Sequence, residues 1–134
     1  EVFVSMTYAG FTLGLVAAME TIKMMREDKN IFKNLHDLGE CLINGGNEAA
    51  NKYGLSIEFV GYGPHPVMKI NISDDYINRV VKTYIYQEMN KSGILFSSSM
   101  MIGFIHKKEE IDLVVRKLGD IFRKMKEFPL KAFH

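Results

Sequence analysis

Ile57-Glu58-Phe59-Val60-Gly61-Tyr62, then Gly63-Pro64-His65-Pro66, then Val67-Met68-Lys69-Ile70-Asn71-Ile72 is the stretch that decides the fold. Two β-like runs flank a connection holding two prolines and a glycine, a composition that forces the chain to turn. The expectation is an antiparallel hairpin, with strands over 57–62 and 67–72. Upstream, Ile31, Leu35, Leu38, Leu42, Ala49 and Tyr53 recur at helical spacing, which predicts a long helix with one apolar face. Asn30 suits its N-cap and Gly54 the left-handed residue after its end. Gly39, Gly45 and Gly46 each weaken such a helix by about 1 kcal/mol relative to alanine. They either permit close packing or mark a break near Gly45.

Downstream, Ser73 is expected to cap a third helix with Asp74 and Asp75 in its first turn, where the helix dipole favours acids. Its apolar face is Ile77, Val80, Val81, Tyr84, Ile85 and Met89. Ser92-Gly93 stops it. Ile94-Leu95-Phe96 reads as a short buried strand, Ser97-Ser98-Ser99 as a loop, and residues 101–105 as another strand. The last helix carries Ile111, Val114, Val115, Leu118, Ile121, Phe122 and Met125, with acids at its start and bases at its end. Together these elements predict an α+β fold, a small, largely antiparallel sheet covered on one face by helices.

The other end of the chain is unlike the rest. Ser5-Met6-Thr7-Tyr8-Ala9-Gly10 runs into Phe11-Thr12-Leu13-Gly14-Leu15-Val16-Ala17-Ala18-Met19, and no charge occurs between Val2 and Met19. Residues 1–4 read as the end of a strand, and a helix is expected from about Thr12 to Arg26. A hydroxyl and a glycine at the mouth of that helix suit an anion, because helix N-termini carry unpaired N–H groups and partial positive charge. A helix apolar on every side also needs cover on every side. Such cover is scarce in 134 residues, so the chain reads as part of a larger protein.

Composition narrows the function classes. The chain is 47% hydrophobic and 25% charged, with a net charge of +1. These are the proportions of a single globular domain, and they give no electrostatic argument for nucleic acid. The one cysteine, Cys41, cannot form an internal disulfide and fits a reducing cytoplasm. It falls on or near the apolar stripe of the second helix, which predicts a buried, inert thiol. The segment Val2 to Met19 is not read as a membrane span or signal, because polar residues and glycines interrupt it and no basic segment precedes it. His36, His65, His106 and His134 show no metal-ligand spacing, and each is expected at the surface or in a cap. Ser97-Ser98-Ser99 lacks the glycines of a nucleophile elbow. By these residues alone the chain is an α+β domain.

Met6-Thr7-Tyr8-Ala9-Gly10 before an Ala-rich helix resembles the Thr-Tyr-Gly-Gly segment of class III, fold type I pyridoxal-phosphate aminotransferases. Leu35-His36-Asp37-Leu38-Gly39-Glu40-Cys41-Leu42 is similar to that family's long helix with its Leu-Gly-x-x-Leu pattern. Gly93-Ile94-Leu95-Phe96-Ser97, Gly103-Phe104-Ile105-His106 and Glu109-Glu110-Ile111-Asp112 resemble the C-terminal tail of glutamate-1-semialdehyde aminomutase-like members. The resemblance covers residues 3–128. It implies the C-terminal small domain of such an enzyme, with residues 1–27 as a strand end, cofactor-phosphate loop and connecting helix, and 28–134 as the small domain.

The resemblance also implies pyridoxal 5'-phosphate as cofactor, held on a lysine of a large domain upstream of Glu1, so that this piece alone is inactive. Thr7 matches the threonine that reaches the phosphate of the partner subunit's cofactor in a homodimer. Ala9 and Phe11 depart from the family pattern. Residues 97–103 contain no arginine, where many members bind a substrate carboxylate, which favours an aminomutase-like pocket or an unusual substrate. The alternative reading is a free-standing α+β metabolite-binding or dimerisation module without catalytic activity.

Overall fold

The computed structural model describes residues 10–127, so the expectations for the strand over 1–4 and for Thr7 lie outside the described residues. The elements run α1 (Thr12–Glu27), α2 (Ile31–Tyr53), β1 (Ile57–Tyr62), β2 (His65–Ile70), α3 (Asp75–Lys91) and α4 (Lys108–Glu127). They divide into two compact units, Glu1–Lys33 and Asn34–His134. In the first, α1 starts after Gly10, at φ 84°, and ends where the Asp28 N–H bonds the Met24 carbonyl at 3.0 Å. None of its residues is buried.

The second unit is built on the hairpin. β1 and β2 pair antiparallel with Ile57 opposite Ile70, Phe59 opposite Met68 and Gly61 opposite Pro66. Strand alternation puts Ile57, Phe59, Pro66 and Met68 on the buried face while Glu58 and Lys69 face water. One face is therefore covered and one is wet, as the α+β reading requires. β2 starts two residues earlier than expected, because Gly63-Pro64 alone makes the turn and Tyr62 pairs with His65. Pro66 is tolerated inside the strand, since its carbonyl faces away from β1 and accepts from the Met100 N–H at 3.0 Å.

Helices α2, α3 and α4 supply most of the remaining core: Leu42, Ile43 and Ala50, then Val81, Ile85 and Met89, then Ile111, Leu118, Ile121, Phe122 and Met125. α2 runs unbroken through its glycines, which are there for contact. A Cβ on Gly46 would stand 2.7 Å from the Phe59 ring, and one on Gly39 would meet the Gly63 backbone. Gly54 ends α2 at φ 66°, as its position predicts. Two sequence expectations change here. Asp74, not Ser73, caps α3, its carboxylate accepting from the N–H groups of Tyr76 at 2.8 Å and Ile77 at 3.0 Å. Cys41 is exposed rather than buried, because consecutive helical residues are turned by about 100° and its neighbour Leu42 takes the inward position.

The segments expected to be strands at 94–96 and 101–105 are not strands. They belong to one connection between α3 and α4 in which only Ser99 makes a bridge, to Val67 of β2. Ladder-like bonds do continue along that edge: Met68 N–H to Ser98 O at 2.7 Å and Ile102 N–H to Pro64 O at 3.0 Å. Phe96 and Ile102 point into the core, but Leu95, Met101, Phe104 and Ile105 point out. Apolar composition without alternation over a sufficient length misreads such a loop as a buried strand.

α3 and α4 are linked by Glu88, whose carboxylate meets Lys91 at 2.7 Å and Lys124 of α4 at 3.2 Å. Those two ammonium hydrogen bonds hold the Glu88 carboxyl below its ordinary range. Its folded pKa therefore lies below its unfolded one, about 4.3. The stabilisation is present above the unfolded value and is lost as pH falls through the folded value. Both lysines are largely solvated, so the screened contribution is about 0.5–1 kcal/mol. Glu88→Gln is expected to lower urea-melt stability by that amount at pH 7 and to narrow the gap to the parent near pH 3. An unchanged gap across that range would show that the ion pairs carry no stability.

Candidate functional site

The sequence points to two places, and the structure describes one fully and the other in part. At the head of α1, Phe11 is the N-cap in extended conformation, with φ −67° and ψ 102°, and makes no side-chain capping bond. No acid occupies the first turn. The first amides of α1 are thus offered no carboxylate or hydroxyl by the cap residue, and the helix dipole there favours an anion. Thr7, the residue assigned to phosphate binding, lies outside the described residues.

The second place is the connection between α3 and α4. Gly93, at φ 77°, lets the chain leave α3 sharply. The connection is then fastened by two side chains from other elements, Tyr86 of α3 and His65 of β2, and by one local bond to His106. The Tyr86 hydroxyl accepts from the Ser98 N–H at 2.6 Å. His65 Nε2 and Ser99 Oγ lie 2.8 Å apart, and His106 Nδ1 accepts from the Gly103 N–H at 2.9 Å. The last bond requires a lone pair on Nδ1, so a neutral His106 carries its proton on Nε2. Glu110 closes the segment by accepting from the Lys107 N–H, the back-bond of a capping box.

Between this connection, α2 and the start of α4 lies a groove of about 700 Å³. Leu42, Phe96, Ile102 and Ile111 form its apolar floor, and Ser99 and His106 stand among its polar lining. No cation occurs between Ser97 and Gly103. His65 and Ser99 are both exposed, so water competes for each; the pair ties the loop to β2 rather than forming a dehydrated nucleophile and base.

His134 lies outside the described residues, and the other three histidines stand at least partly exposed, as the sequence leads one to expect. His65 and His106 serve as loop ties. His36 is half-exposed, its ring edge-on to Tyr62 at 5.4 Å and its Nε2 3.8 Å from Glu40. Sequence reasoning missed the partners of these groups. His65 and Ser99 are 34 positions apart, and only the hairpin pairing brings them together. Among the described residues no group of three or more His, Cys, Asp or Glu could hold a metal ion, and no helix is long and apolar enough to cross a membrane.

No family model and no curated protein sequence matches this chain. Solved structures do. The FumI protein of Sphingopyxis sp. MTA144, in a PLP form, superposes over 95% of this chain with a TM-score of 0.76 and 19% identity, covering 30% of its own chain. A transaminase from the marine bacterium Virgibacillus superposes over 94%, with a TM-score of 0.73, 14% identity and 31% of its own chain covered. An omega-transaminase from Sphaerobacter thermophilus gives 75%, 0.67, 15% and 25%. At such identities the likeness is one of fold. The chain spans a quarter to a third of the length of the structures it matches, and its α+β architecture is that of a portion of the transaminase fold.

Proposed function

We propose that this chain is the C-terminal small-domain part of a PLP-dependent aminotransferase or aminomutase, catalytically silent by itself because the cofactor-bearing lysine belongs to the rest of the enzyme. The superposition over 95% of the chain onto less than a third of a PLP protein carries this reading. The head of α1 is compatible with the cofactor: a dianionic phosphate suits first-turn amides to which, among the described residues, neither a first-turn acid nor a side-chain capping bond from Phe11 is offered. When bound, PLP withdraws electrons as an amino group moves between substrates.

In this reading the chain's own residues bind and orient. Thr7 donates its hydroxyl to a phosphate oxygen of the cofactor held by the partner subunit of a cytoplasmic homodimer, a charge-assisted hydrogen bond. The cation-free segment from Ser97 to Gly103 presents hydroxyls and apolar groups, which favours an aminomutase-like substrate over one clamped by a bidentate arginine.

The test uses the complete gene product. Borohydride reduction in the presence of PLP should leave one pyridoxyl-lysine outside these 134 residues. Thr7→Val should weaken cofactor retention by about 1–3 kcal/mol, the usual cost of losing a hydrogen bond to a charged group. A stoichiometric label on a lysine inside this chain, or no label at all, would overturn the assignment; unchanged retention in the valine variant would remove Thr7 from it.

A further inference from the structure

Gly103 and His106 are bonded to each other twice, at the two ends of one turn. The Gly103 carbonyl accepts from the His106 N–H at 3.0 Å, and the Gly103 N–H donates to His106 Nδ1 at 2.9 Å. The second bond holds only while Nδ1 keeps its lone pair. A backbone amide nitrogen can only donate, and a protonated imidazole carries a hydrogen on both nitrogens. We propose that this turn is a proton-operated latch, closed while the His106 ring is neutral and released when the ring gains a proton. The latch does not depend on the function given above.

Three observations carry it. First, packing does little to hold the turn. Phe104 and Ile105 at its tip are 56% and 82% exposed, so the bonds between Gly103 and His106 set its shape. On either side the chain is fixed. The Ile102 N–H bonds the Pro64 carbonyl at 3.0 Å, and Glu110 accepts from the Lys107 N–H at the start of α4. Release is therefore confined to residues 103–106. Second, the other histidine on this connection lacks the property. His65 Nε2 faces the Ser99 hydroxyl at 2.8 Å, and a hydroxyl donates to a bare ring nitrogen and accepts from a protonated one. That tie survives protonation, and the His106 tie does not.

Third, the ring that moves is part of the groove. Among the residues lining it, His106 alone can carry positive charge, and Glu110 of α4 is the only acid. α2 contributes Leu42, and the remaining lining is apolar apart from the hydroxyls of Ser97 and Ser99. Lys107, Lys108 and Glu109 follow the ring in sequence, and Lys108 is paired with Asp112 at 2.8 Å. Histidine is the side chain whose charge ordinarily changes between about pH 5 and 8, and His106 is open to solvent. Mild acid thus acts twice: it frees the turn, and it puts a cation into a groove wall that otherwise has none.

Amide exchange in the complete gene product tests this at about pH 5 and about pH 8, the limits of ordinary histidine titration. Exchange is read residue by residue, by millisecond labelling and mass spectrometry, and divided by the intrinsic rate at each pH. Protection of the Gly103 amide is expected to fall several-fold in acid. The Ser98 amide, bound to the Tyr86 hydroxyl, should keep its protection. Two variants replace the titrating ring. His106→Asn offers an amide oxygen near the Nδ1 position, and His106→Ala offers no acceptor. Both should abolish the pH dependence at Gly103, the alanine variant at low protection throughout. Equal protection of Gly103 in the parent at the two pH values would overturn the latch. A pH dependence that survives in either variant would do the same, because the titrating group would then lie elsewhere. So would a joint fall at Gly103 and Ser98, which would mean that the whole connection loosens, or an alanine variant as protected as the parent near pH 8.

Discussion

Gly39→Ala is expected to destabilise the chain by at least about 3 kcal/mol, the upper end of the usual cost of overpacking. A methyl group on Gly39 would lie 1.5 Å from the Gly63 carbonyl oxygen and 2.2 Å from its carbon. Neither partner can swing aside as a side chain would. Gly63 sits in the two-residue turn whose flanks are fixed by the pairing of Tyr62 with His65, and a Cβ on Gly63 would itself meet the His36 carbonyl at 2.8 Å. Helix and turn must separate, which withdraws α2 from the hairpin. Alanine gains about 1 kcal/mol of helix propensity over glycine, too little to offset that loss. Against a total stability on the order of 5–15 kcal/mol, the variant should show a much lower urea midpoint. Gly119→Ala is the control: its new methyl meets nothing within 4 Å, so the propensity gain should raise the midpoint. A Gly39→Ala midpoint equal to the parent's would show that α2 and the turn do not pack this closely.

That contact also shows where sequence reading stops. The helical stripes of α2, α3 and α4 were legible because their inward residues repeat at the helical period over four or more turns. The hairpin was legible from proline and glycine between two β-like runs, although the proline count misplaced the start of β2 by two residues. Gly39, Gly45 and Gly46 carried an ambiguity that no local rule resolves, since a helix glycine reads the same whether it admits a neighbour or breaks the helix. The segment 94–105 misled for a related reason. Its apolar residues divide between the core and water, and only the Ser98, Met100 and Ile102 backbone bonds to β2 reveal which go where. Of the candidate site, the cation-free loop was visible in the sequence. Its ties, His65 to Ser99 and Tyr86 to Ser98, join residues brought together by tertiary pairing alone.

Asn47→Ala is expected to lower stability by about 2–6 kcal/mol, because it strands two backbone groups at once at about 1–3 kcal/mol each. The Asn47 amide spans from α2 to the free edge of β1. Its Nδ2 donates to the Phe59 carbonyl at 2.8 Å, and its Oδ1 accepts from the Phe59 N–H at 2.7 Å. Phe59 lies opposite Met68, yet both its polar groups turn away from β2, and the asparagine serves them as a neighbouring strand would. An unsealed edge also invites pairing with another chain, so the alanine variant should aggregate more readily as it unfolds. Asn47→Asp keeps the acceptor but sets a carboxylate against the Phe59 carbonyl, and should recover only part of the loss. Asn78 gives the scale: it donates to the Ile70 carbonyl at 2.8 Å and more weakly to Ile72 at 3.4 Å, and it leaves no N–H unpaired when removed. Asn78→Ala should therefore cost about 1 kcal/mol. Urea melts with amide exchange at Phe59 decide the matter. If the Asn47 variant melts with the Asn78 variant and the Phe59 amide stays protected, water or another group seals that edge, and the asparagine is not what joins α2 to the sheet.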